Sequence, residues 1–127
     1  MKAVYSITPF KEITISAIPS EWVSFAHALS LDGSIIEFEC VADPSPYRHS
    51  VHKLIVAHQK GHKVEFQVHT DGNLIVKGDP QLMAVLSQNA KFPPVGLEKG
   101  YHVHIEHYDI DDYYVGKASV PTVFLLS

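Results

Sequence analysis

Three side chains in the run YHVHIE are of types that hold metals. His102, His104 and Glu106 alternate along it, so on a strand all three project from one face. Two imidazoles and a carboxylate suit catalytic zinc or facial-triad iron. Three ligands on one strand crowd one another, however, and no fourth is obvious. The His row is therefore expected on a solvated face, with Tyr101, Val103 and Ile105 turned to the core, and neither metal nor cofactor is expected. His49, His52, His58, His62 and His69 lie on the middle segments. His52 and His58 share parity, but about 20 Å of strand separates them, too far for one ion.

A second constellation is acidic and aromatic. Glu106, Asp109, Asp111 and Asp112 are interleaved with Tyr108, Tyr113 and Tyr114. Residues 1–63 balance six basic against six acidic groups, whereas residues 64–127 hold four and eight, so the whole net charge of −4 falls in the second half. Half of those eight acids lie between Glu106 and Asp112. Tyr buries a rigid ring yet keeps a hydroxyl for a partner, and carboxylates around it speed encounter with a basic surface. The run is expected to bind a basic protein partner. A phosphate backbone needs clustered Lys and Arg, so nucleic acid is not expected.

Signals for nucleophilic catalysis are missing. No GxSxG, HExxH or phosphate-cradling glycine loop occurs, and Cys40, expected on an apolar strand face, reads as a small buried hydrophobe. No enzyme activity is expected. A lone cysteine excludes a disulfide framework, and no apolar run reaches the roughly 18 residues of a membrane helix. The N-terminus lacks the pattern of a signal peptide, so a cytoplasmic protein without membrane contact is expected.

These residues need elements to hold them. KEITISAI (Lys11–Ile18) alternates as a half-buried strand, and Pro19 then opens a helix with Trp22, Phe25, Ala26 and Leu29 on one stripe. Ser34–Val41 reads as a strand with Ile36, Phe38 and Cys40 on one face, and ADPSPYRHS as a loop. Val51–His58 and His62–Thr70 are expected to form a hairpin around Gln59-Lys60-Gly61. Asp71-Gly72 turns the chain into Asn73–Lys77. Asp79 and Pro80 open a second helix with Leu82, Val85, Leu86 and Asn89 as its stripe, ended by Pro93-Pro94. Tyr101–His107 and an interior apolar strand, Thr122–Leu126, complete the chain.

The order β-α-β-β-β-β-α-β-β predicts an α+β two-layer sandwich: a mainly antiparallel sheet of about seven strands with two helices on one face. The chain is read as one domain, 1–127, with two similar strand–helix halves at about 1–63 and 64–127.

Across residues 64–126, the strand before Gly78-Asp79-Pro80, the helix, the HVHI strand at His102–Ile105 and the terminal apolar strand resemble the Imm32-like immunity proteins of bacterial polymorphic toxin systems. That resemblance implies a cytosolic α+β protein that neutralises a toxin by binding it. The stretch HYDIDDYYVGKASV is longer than the family pattern, so the acidic patch has no family counterpart. Two alternatives stand beside it: a metal-dependent enzyme on His102, His104 and Glu106, and a regulatory homodimer joined through a sheet face or edge strand.

Overall fold

Side-chain alternation and two proline-opened helices account for most of the architecture. A computed structural model describes residues 1–69, 71–91, 99–108 and 112–127. The elements are β1 (Lys2–Ser6), β2 (Glu12–Ala17), α1 (Pro19–Leu29), β3 (Ile35–Glu37), β4 (His49–Ser50), β5 (Lys53–His58), β6 (Glu65–Val68), β7 (Leu74–Gly78), α2 (Pro80–Ala90), β8 (His102–Ile105) and β9 (Thr122–Leu126). They form an α+β sandwich.

The strands make two sheets rather than the expected single one. A five-stranded sheet runs β4-β1-β2-β9-β8 and a four-stranded sheet runs β3-β5-β7-β6. Each is antiparallel except for one central parallel pair, β2 with β9 and β5 with β7. β1 and β4 are not among the expected strands, since KAVYS does not alternate apolar with polar and β4 has only two residues. β5 and β6 do not form the expected hairpin, because β7 lies between them, parallel to β5 and antiparallel to β6. The Asp71-Gly72 turn does join β6 to β7, with Gly72 at φ 84°.

Both sheets drain into one core. Phe124 of β9 packs its ring 5.0 Å from Trp22, 5.4 Å from Phe25 and 6.0 Å from Phe66 of β6. On α1 the buried stripe is Trp22, Phe25, Ala26 and Leu29, as expected. On α2 it is Met83, Leu86, Ser87 and Ala90, rotated from the expected Leu82, Val85, Leu86 and Asn89. Ser87 faces inward because its hydroxyl donates to the Ala26 carbonyl at 2.7 Å across the helix–helix contact. Asp79 caps α2, accepting from Gln81 N–H at 2.9 Å.

Two further expectations fail locally. β3 ends at Glu37: Phe38 N–H still donates to the His52 carbonyl in the β3–β5 register, but Glu39 N–H turns to the Met1 carbonyl, and Cys40 beyond it is exposed rather than buried. Tyr101, placed on the core face from sequence, precedes β8 and is exposed. Pro93-Pro94 lies outside the described residues.

The two strand–helix segments match position by position. Ile13, Ile15, Ala17 and Pro19 correspond to Leu74, Val76, Gly78 and Pro80, and Trp22, Phe25, Ala26 and Leu29 to Met83, Leu86, Ser87 and Ala90. The first segment pairs with β9, from the end of the chain, and the second with β5, from its first half.

Candidate functional site

The acidic, tyrosine-rich segment is built from three elements that converge on it. β8 delivers Ile105 buried, and the chain leaves the sheet at Glu106. On its return the segment docks on the residue preceding β6: Val64 N–H donates to the Tyr114 carbonyl at 2.8 Å, and Gly116 N–H to the Val64 carbonyl at 3.0 Å. From α2, Asn89 Nδ2 donates to the Tyr114 hydroxyl at 3.1 Å.

Asp112 organises the loop. Its Oδ1 accepts from Tyr114 N–H at 2.9 Å and Val115 N–H at 3.0 Å, and its Oδ2 from Tyr108 N–H at 3.2 Å. Burial pushes this carboxyl up, but the three backbone donors and nearby His107 outweigh it and hold the group below the ordinary carboxylate range. The Lys63 ammonium donates to the Asp112 carbonyl at 2.6 Å, and His107 Nδ1–H to the Val115 carbonyl at 2.8 Å. Asp112 thus serves mainly to position its neighbours.

The three tyrosines part company. Tyr114 is largely enclosed: burial, with Asp112 and Tyr113 nearby, pushes its phenol up to about 12 against the pull of the Asn89 donor. Tyr108 and Tyr113 instead stand 72% and 74% exposed. Between them opens a cleft of about 420 Å³, lined by Ile105 and Val115, the rings of Tyr108, Tyr113 and Tyr114, and the polar groups of His104, Glu106, Asp112 and Asn89. Asp109 and Asp111, expected in the same patch, lie outside the described residues.

His102 and His104 project from the outer face of β8, with ring centroids 5.0 Å apart and edge-to-face. His102 Nδ1–H donates to the Gly100 carbonyl at 3.2 Å. Glu106 sits past the strand end, in the cleft wall. Among the described residues no three His, Cys, Asp or Glu side chains are grouped to hold a metal ion, so the His102, His104, Glu106 row does not assemble as a triad.

Asn89, His107 and Lys63 were not singled out from sequence, yet all three fasten this loop. For Asn89 a signal existed: it is a polar side chain at the end of a stripe otherwise read as apolar. Among the described residues no helix is long and apolar enough to cross a membrane. Comparison with protein-family models, curated proteins and solved structures returns no match.

Proposed function

We propose that this chain is a non-catalytic cytoplasmic binding protein of the immunity-protein type, which neutralises a basic toxin domain by engaging it through the cleft beside β8. The observation that carries the reading is the pair of exposed rings, Tyr108 and Tyr113, flanking a cleft that holds the Glu106 carboxylate. Large aromatic groups left in water on a hydrogen-bonded loop are of the kind that anchor interfaces. A nearby carboxylate favours a cationic side chain between the rings, through charge and cation–π attraction together.

Asp112 is not the residue to mutate first, because its oxygens hold the loop. The test is calorimetric binding of the full chain to any basic toxin domain found co-encoded with it, with Tyr108→Ala, Tyr113→Ala and Glu106→Gln. Each tyrosine change should weaken binding about 10- to 100-fold, since buried aromatic anchors contribute about 2 kcal/mol or more. Glu106→Gln should act mostly on the association rate and its salt dependence. If all three bind as the parent does, the cleft is not the contact.

A further inference from the structure

Helices on a protein surface ordinarily turn charged side chains outward, and here they do not. At the chain's overall share of charged residues, the 22 positions of α1 and α2 would carry about four Lys, Arg, Asp or Glu. They carry one, Glu21, whose carboxylate is occupied by the Met1 amino group at 2.7 Å and by Ile18 N–H at 3.1 Å. The outward positions are Ser20, Val23, Ser24 and His27 on α1, and Gln81, Ala84, Val85 and Gln88 on α2. Val23 is 63% exposed and Val85 39%. Depletion of charge marks the core of an interface rather than open surface.

We infer that the two-helix layer is the contact face of a homodimer, formed with a second copy of this chain about a twofold axis that lays α1 on the partner's α2. Corresponding positions of the two helices carry opposite relief. Val23 on α1 matches Ala84 on α2, and Ser24 matches Val85. A dyad that puts α1 against α2 seats each valine over the other copy's small residue twice, as an isologous interface requires. A charged partner finds no counter-charge on this layer. The footprint also sets the strength. Two helices about 16 Å long and 10 Å wide present a flat face of about 320 Å² per copy, which side-chain relief raises to roughly 400–600 Å². That is at or below the low end for a specific interface, so the dimer is expected to be weak and to depend on concentration.

Sedimentation equilibrium of the full chain from about 1 to 300 µM tests this, reading the approach from 14.1 kDa towards about twice that mass. Val23→Glu and Ala84→Arg should each stay monomeric, and, the sites being exposed, should melt as the parent does at dilutions where the parent too is a monomer. Mixed together they should associate, because the carboxylate introduced on α1 of one copy then meets the guanidinium introduced on α2 of the other. Ile35→Glu, on the open face of the four-stranded sheet, should dimerise like the parent. A monomer throughout overturns the inference, as do a dimer indifferent to both helix variants, a mixture that does not associate, and dissociation by Ile35→Glu alone.

Discussion

Asp112 shows how one carboxylate can organise a surface without being its contact. Three backbone N–H groups, from Tyr108, Tyr114 and Val115, converge on its two oxygens, and without them each would need water or another acceptor. Asp112→Ala should therefore cost about 1–2 kcal/mol at pH 7. The pH dependence follows from the direction of the shift. With the folded group held below its ordinary value, its stabilisation is complete above the unfolded carboxylate range, near pH 4, and is lost as pH falls through the folded value. Urea titrations of parent and variant at pH 7 and pH 3 should show the gap closing at the lower pH. An unchanged gap would mean that the charge does not hold the loop. The interleaving of acids and tyrosines was plain in the sequence. Which carboxylate turns inward was not, because that depends on backbone donors brought by a fold whose return path runs over Val64.

At the scale of elements, the junction of β7 and α2 is set by Gly78. A Cβ there would lie 2.9 Å from Met83 Sδ and 3.2 Å from Val64 Cγ2, both in side chains packed in the core. The corresponding residue in the first half, Ala17 before α1, carries its methyl group buried. Gly78→Ala should then cost about 1–3 kcal/mol by overpacking, despite the better strand propensity of Ala. Chemical denaturation checks it, and a change under about 0.5 kcal/mol would show that Met83 simply moves aside. The sequence disclosed α1, α2 and seven strands, since period and proline placement are local signals. β1 escaped because Ala3, Val4 and Tyr5 are consecutive, so KAVYS shows no apolar–polar alternation, and β4 because two residues give none. The α2 stripe was misread by one position because Leu82 and Val85 compete with Met83 and Ser87, and only the Ala26 carbonyl decides between them.

The molecule as a whole is two halves that complete each other's sheets. Strands β1, β2 and β4 need β9 and β8 to finish the five-stranded sheet, while β3 and β5 need β7 and β6 to finish the other. Both central pairs, β2 with β9 and β5 with β7, cross between halves, and no local turn encodes a parallel pair. Sequence reading therefore found two similar strand–helix segments but assumed a hairpin between β5 and β6. The crossed pairing has a testable consequence. A chain divided in the exposed turn at Lys60-Gly61 gives fragments that each hold part of both sheets, three and two strands of the larger and two each of the smaller. Each alone leaves the inner faces of its strands without cover, so neither should fold: three of the four sheet pieces are two-stranded, and in the fourth, β4-β1-β2, the strand β4 is only two residues long. Mixed at equal concentration they should recover the native circular dichroism. Trp22 reports the event directly, because its ring lies in the first fragment and packs on Phe124 of the second. Its emission should stay that of a solvated indole in the first fragment alone and shift to the blue only on mixing. A blue-shifted, cooperatively melting fragment 1–60 by itself would show that the first half closes its own core, and the crossed strands would then be an addition to that core rather than its condition.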